Sequence, residues 1–240
     1  MRRRIMNETT RRTLMRAFLD APLSGPEIEA RSMEIIDREA PAHPFAPDEW
    51  QIVRRMIHTA GDFGIMEAVR FSPDAVEAGI GALRGCRTIY TDANMIRSGI
   101  SLARLRAVCG FYRRESIICH VADEDVARKA RRSGLPRSLH AVQKAKPLLD
   151  GAIAVIGNAP IALMEISRMI SEEGLRPALV VALPVGFVHV AESKEELMSL
   201  GVPYIATAGR RGGSPLAVSV VHALCGLAAG VEEGKKRRSI

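Results

Sequence analysis

Six histidines are the groups in this 240-residue chain best suited to moving a proton near neutral pH: His43, His58, His120, His140, His189 and His222. None sits in an H-E-x-x-H or other metal-ligand spacing, so no protein-bound metal is expected. No G-x-S-x-G elbow is present, which argues against a serine-hydrolase triad. The four cysteines, Cys86, Cys109, Cys119 and Cys225, form no C-x-x-C pair and so suggest neither a zinc site nor a redox motif. They are expected as buried free thiols in a reducing cytoplasm, with Cys119 in a strand-like run and Cys225 in a helix-like one. On spacing alone the histidines are equivalent, and each is more readily structural or solvated than catalytic.

Three loops carry the second kind of chemistry, the holding of an anion. They are Gly157-Asn158-Ala159-Pro160, Pro184-Val185-Gly186-Phe187, and Gly209-Arg210-Arg211-Gly212-Gly213-Ser214-Pro215. Glycine lets a backbone approach a ligand closely, and a helix N-terminus offers free N–H groups to a carboxylate or phosphate. None of the loops fits G-x-G-x-x-G or the P-loop pattern, which disfavours a dinucleotide or nucleoside triphosphate. Three such loops on one sheet edge favour a larger ligand with several carboxylates.

The elements that must position these groups alternate. Strand-like runs fall at residues 88–91, 116–121, 152–156, 179–183 and 204–206. Helical patterns separate them at 92–105 in part, 123–132, 137–149, 161–173, 194–200 and 216–231. This alternation predicts a three-layer α/β/α fold with a mainly parallel sheet of about five strands. Ligands of such sheets bind where loops leave the carboxyl ends of the strands. Ahead of the first strand, helices are expected over residues 27–39 and from Asp48, read as an N-cap, through Ile57, forming an N-terminal helical cap. A further helix is expected from Ser72-Pro73, with serine as cap and proline at the first helical position. The run Ser193-Lys194-Glu195-Glu196 reads as a capping box.

The length suits one α/β domain, read as residues 25–230 between a basic extension, 1–24, and a basic tail, 231–240. No apolar run is long enough to span a bilayer, and no secretory h-region follows the first arginines. The net charge is +7. Residues 1–16 hold six arginines against one glutamate, and residues 231–240 hold four basic residues against two acidic ones. Residues 17–230 balance at 24 of each sign, so the basic pI belongs to the ends. Solvated tails are the simpler reading, and no basic stripe with aromatic platforms supports nucleic-acid binding. Neither nucleic acid nor membrane is expected as a partner.

Longer segments distinguish one histidine. Ile57-His58-Thr59-Ala60-Gly61-Asp62-Phe63, running on to Arg70-Phe71-Ser72-Pro73-Asp74, resembles the histidine segment of the precorrin-8X and cobalt-precorrin-8 methylmutases, the corrin-ring isomerases of cobalamin biosynthesis. Arg31-Ser32-Met33-Glu34 is similar to that family's N-terminal serine helix. Thr88-Ile89-Tyr90-Thr91-Asp92, with Met95 and Ser98-Gly99-Ile100, resembles its first strand and following helix. Pro136-Arg137-Ser138, Gly157-Asn158-Ala159-Pro160, Pro184-Val185-Gly186-Phe187-Val188 and Gly209-Arg210-Arg211-Gly212-Gly213-Ser214 match further segments in the same order, over residues 25–230. Pro136 stands for the usual threonine, and His189-Val190 for the usual Gly-Ala.

The resemblance implies a 1,5-sigmatropic shift of one methyl group from C-11 to C-12 of the corrin precursor. It implies no cofactor, since any cobalt arrives inside the substrate. His58 is then the acid that protonates the substrate. Ser32, Thr91, Arg137, Gly157, Asn158, Gly186, Arg211, Gly212, Gly213 and Ser214 become the groups expected to hold its carboxylates. Arg137 would pair bidentately, and Gly212, Gly213 and Ser214 would donate backbone hydrogen bonds. The Asp62-Phe63 and Ile89–Asp92 segments favour the cobalt-containing substrate over metal-free precorrin-8X. A cytoplasmic homodimer is implied. Three other readings stay open: a non-catalytic corrinoid carrier, a nucleotide-binding α/β enzyme using the 209–214 loop, and an RNA-binding tail.

Overall fold

The computed structural model describes residues 13–230. The helices are α1 (Leu14–Asp20), α2 (Gly25–Glu39), α3 (Pro47–Ala60), α4 (Ile65–Ala68), α5 (Ala75–Arg84), α6 (Asn94–Gly99), α7 (Leu102–Val108), α8 (Glu124–Ser133), α9 (Arg137–Ala145), α10 (Pro160–Glu173), α11 (Val190–Met198) and α12 (Ser214–Ala228). The strands are β1 (Val69–Phe71), β2 (Ile89–Thr91), β3 (Ile117–Ile118), β4 (Ile153–Ile156), β5 (Leu179–Ala182) and β6 (Tyr204–Thr207). They form one sheet in the order β1-β6-β5-β4-β2-β3, parallel throughout except for β1 against β6.

Strands β4 and β5 read Ile-Ala-Val-Ile and Leu-Val-Val-Ala and are buried at every position. A parallel strand covered by helices on both faces has no polar side to show. Alternate residues serve two cores, because successive side chains point to opposite faces. Ile153, Val155, Leu179, Val181 and Ile205 pack with α2, α3, α5 and α12. Ala154, Ile156, Val180, Ala182 and Ala206 pack with α9, α10 and α11. The three-layer fold is therefore as the alternation predicts, with α2 and α3 joining one outer layer. Among the described residues no helix is long and apolar enough to cross a membrane.

The sheet has six strands, one more than the sequence pattern predicts. The extra strand, β1, is three residues long and pairs antiparallel with β6 through Val69↔Thr207 and Phe71↔Ile205. It is too short to show any alternation. Its extension explains a second difference. Ser72 does not cap a helix: its Oγ accepts the Tyr204 N–H at 2.9 Å and its own N–H donates to the Tyr204 carbonyl at 3.0 Å. Helix α5 starts two residues beyond Pro73.

Two other helix starts shift. Helix α3 begins at Pro47 after Ala46, so Asp48 lies inside the first turn, and the Glu49 carboxylate accepts the Ala46 N–H at 2.9 Å. Helix α11 begins at Val190, so Ser193 is an interior residue whose Oγ donates to the Val190 carbonyl at 3.0 Å. The expected box at Ser193 does not form. A third correction concerns the thiols. Cys86 and Cys109 are joined, with an S–S distance of 2.03 Å and Cα atoms 6.0 Å apart. Helices α5 and α7, which pack together, end beside them, a proximity that their sequence separation of 23 does not announce. Cys119 and Cys225 are free and buried, as expected.

Candidate functional site

The chain leaves β2 in one direction to form β3 and later returns across it to form β4, so the strand order reverses between β2 and β4. Crevices at such reversals are where open α/β sheets hold ligands. Here the reversal is occupied from within. Asp92, 1% exposed at the end of β2, accepts the Gly157 N–H at 3.0 Å on one oxygen. Its other oxygen accepts the Asn158 N–H at 3.0 Å and the Ala159 N–H at 2.6 Å. Burial pushes its carboxyl pKa up, and the three donors pull against that shift. The backbone expected to meet a substrate carboxylate thus already binds a carboxyl group of the protein's own. The Asn158 side chain remains exposed. Gly157 instead serves close approach: a Cβ there would come within 2.9 Å of the Ala217 Cβ and 3.1 Å of the Ser214 Cα. That contact brings the β4 loop onto the first turn of α12.

The closing glycine loop, between β6 and α12, is organised in the same way. The Gly213 N–H donates to the Leu183 carbonyl at 2.8 Å. A Cβ on Gly212 would sit 2.2 Å from that carbonyl oxygen and 2.5 Å from the Pro184 carbonyl oxygen. Both contacts are with backbone, which cannot swing aside. Gly212→Ala is therefore expected to displace the loop and lower the melting temperature by several degrees, a penalty of roughly 2 kcal/mol or more of the kind overpacking brings. A melting curve matching wild type would show that the two loops do not meet so closely.

Beneath this loop lies Lys194, fully buried. Its Nζ donates to Thr207 Oγ1 at 3.1 Å, the Gly209 carbonyl at 2.9 Å and the Arg211 carbonyl at 2.6 Å. Three acceptors match the three protons of an ammonium. Burial nevertheless lowers its pKa from 10.5 to about 8. Between those values the unfolded chain binds more protons than the folded one, so the Lys194 contribution makes stability rise with pH. Relative to Lys194→Met, wild type is expected to gain up to about 1.4 kcal/mol per pH unit above about pH 8. Denaturant unfolding of both proteins at neutral and alkaline pH measures this, and a pH-independent difference rejects it.

The histidine segment meets this loop directly. Arg211 Nη1 bonds Asp62 Oδ2 at 2.9 Å, joining the segment after α3 to the loop after β6. Arg210 lies 5.1 Å over the ring of Phe187, joining the same loop to that after β5, where Gly186 sits between the exposed Val185 and Phe187. His58 is exposed on the last turn of α3. On the same helix, Arg55 and Thr59 line a cavity of about 350 Å³ closed by α6 and α12, with Ser214 and His222 also in its wall. Arg55 is held by Glu29 of α2, and Arg104 stands 3.6 Å from the same carboxylate. Burial pushes Glu29 up, but the Arg55 hydrogen bond and the charges of Arg55, Arg104 and His58 outweigh it and lower its pKa.

The other expected residues lie apart. Ser32 is half-buried on α2, and its Oγ donates to the Ile28 carbonyl at 2.8 Å. Thr91 is fully buried and donates to the Ile118 carbonyl at 3.2 Å, so its hydroxyl proton serves the sheet. Arg137 is exposed at the first turn of α9, in the opposite helical layer. Four residues with large structural roles were not selected from the sequence for this site: Asp92, Lys194, Glu29 and His222. Asp92 follows a strand and faces a glycine loop 65 residues away, and Lys194 sits in a run that reads as a solvated helix start. Their burial is the only signal, and it is tertiary.

These features define an α/β protein whose candidate site brings loops at the carboxyl edge of the sheet beside an exposed histidine and an arginine-walled cavity. The family model described as precorrin-8X methylmutase matches residues 27–227, and the chain belongs to that family and is an isomerase. It is 44% identical over 209 residues to the cobalt-precorrin-8 methylmutase of Leptospira interrogans, covering 83% of this chain and 92% of that protein. It is 40% identical over 215 residues to the protein of that name from Priestia megaterium, covering 89% and 93%. The crystal structure of precorrin-8x methyl mutase from Thermus thermophilus superposes with a TM-score of 0.79 at 45% identity, covering 87% of this chain and 99% of that one.

Proposed function

We propose that this chain moves the methyl group of cobalt-precorrin-8 from C-11 to C-12 to give cobyrinate, with His58 as the acid. The carrying observation is the Asp62–Arg211 bond, which fixes the end of the His58 helix against the closing glycine loop. An acid acting on a large macrocycle needs such fixed placement, because the protein's contribution to an internal rearrangement is positioning and proton placement. In the shift, the C-11–methyl bond breaks as the C-12–methyl bond forms, so no atom or electron is lost and no redox cofactor is needed. Cobalt enters as part of the substrate.

The substrate carries acetate and propionate carboxylates. Arg211, Ser214 and the Asn158 side chain lie on the loops that would face it, and Arg137 would reach a carboxylate beyond the sheet edge. Ser32 would act from α2 beside Glu29. The balanced charge of residues 17–230 leaves attraction of this polyanion to such local groups. A cytoplasmic homodimer with the site near the interface fits this reading. Relatives bearing the cobalt-precorrin-8 name favour the cobalt substrate, while the precorrin-8X name of the family and of the Thermus structure supports a second reading with metal-free substrate. Absorbance spectra following conversion of each substrate separate the two. The cobalt form is expected to give the higher kcat/KM, and turnover of neither overturns the proposal.

A further inference from the structure

The cavity between α3, α6 and α12 has a distinct donor. Two of the three hydroxyls in its wall point their protons away: Thr59 Oγ1 donates to the Arg55 carbonyl at 2.9 Å, and Ser219 Oγ to the Leu216 carbonyl at 2.7 Å. His222 is different. Its Nε2 accepts the Ser101 N–H at 2.9 Å, which requires a lone pair on that nitrogen. In the neutral ring the single proton is then on Nδ1. Burial, with the charges of Arg104 and Arg55 behind it, lowers the ring's pKa to about 4, against a smaller opposing effect of Glu29. At neutral pH the imidazole is therefore neutral, and the Ser101 bond fixes its tautomer.

A lining that combines this histidine with Arg55 and with the apolar Met95 and Val218 suits a carboxylate on a short hydrocarbon arm. Its volume of about 350 Å³ falls near the lower end of the roughly 300–1,000 Å³ of small-molecule sites. We propose that this cavity receives one carboxylate-bearing side arm of the corrinoid, and that His222 is the residue that selects carboxylate there through its Nδ1–H. The assignment rests on the corrinoid reading given above. His222 acts in binding; the proton transfer stays with His58.

The test uses the full chain and two ligands, cobyrinic acid and a corrinoid whose arms are amides. His222→Phe removes the donor. Met95→Glu, at a 66% exposed position, sets a like charge at the cavity wall without disturbing the core. Both variants are expected to bind cobyrinic acid about tenfold more weakly and the amidated ligand within about twofold of wild type, with KM raised and kcat nearly unchanged. His222→Gln, which keeps an acceptor for Ser101 and a donor beside it, is expected to recover part of the loss. Equal losses for both ligands would reveal a packing role and overturn the assignment, as would no loss in Met95→Glu. If His222→Phe does not fold, Met95→Glu decides alone. Wild type lacking affinity for cobyrinic acid overturns the corrinoid reading itself, a result distinct from failure of the subsite.

Discussion

Replacing His58 with alanine is expected to lower kcat by about 10²- to 10⁴-fold, the range a general acid contributes, while the dissociation constant for cobyrinic acid changes little. The asymmetry follows from where His58 sits. It is exposed on the last turn of α3, outside the buried core, so truncation removes neither packing nor a structural hydrogen bond among the described residues. The cavity wall at Arg55 and Thr59 and the Asp62–Arg211 bond stay in place. A carrier that holds corrinoids without turnover predicts the opposite, no dependence on this residue in any assay. Full activity in His58→Ala would dismiss the acid assignment, whereas parallel loss of activity and binding would place His58 among the binding groups.

The largest expected loss of stability comes from Asp92→Ala. Three backbone N–H groups, at Gly157, Asn158 and Ala159, would lose their acceptor together. An unsatisfied buried donor costs about 1–3 kcal/mol, so a loss of roughly 3 kcal/mol or more is expected, and a melting temperature lower by on the order of 10 °C. Asp92→Asn should fall between, since its amide offers one acceptor oxygen but turns an N–H₂ toward the remaining donors. Calorimetry on the three proteins measures the series. Unchanged stability in the alanine variant would mean that water or another group satisfies the loop.

How much of this was legible in the sequence depended on whether the signal was local. Runs such as Ile153–Ile156 and Leu179–Ala182 are continuous apolar strands between helices, and their periodicity states the parallel sheet directly. Val69–Phe71 gives no such signal, because a three-residue edge strand is defined only by the partner it finds in β6. The capping errors have one cause. Ser72 and Ser193 carry the right side chains for caps, but Ser72 is claimed by the β6 backbone and Ser193 lies inside a helix that has already started after the left-handed His189, φ 56. The site divides likewise. The loops and the His58 segment stand in recognisable order, whereas the internal carboxyl at Asp92, the buried amine at Lys194 and the fixed tautomer of His222 arise from contacts 65, 13 to 17 and 121 residues apart. The Cys86–Cys109 disulfide, between residues 23 apart in the chain, is likewise set by tertiary contact.

The antiparallel pairing of β1 with β6 bears on the order in which the molecule assembles. On a ribosome, α3 and β1 emerge well over a hundred residues before their partners, since β1 pairs with Tyr204–Thr207 and α3 packs chiefly on α12. Until α12 is synthesised, the His58 helix has only its neighbours α2 and α4 to pack on, while β2 to β5 can already pair in parallel. A ribosome-bound chain stalled before Tyr204 would thus lack both the β6 partner of β1 and the α12 surface on which the His58 helix is seated.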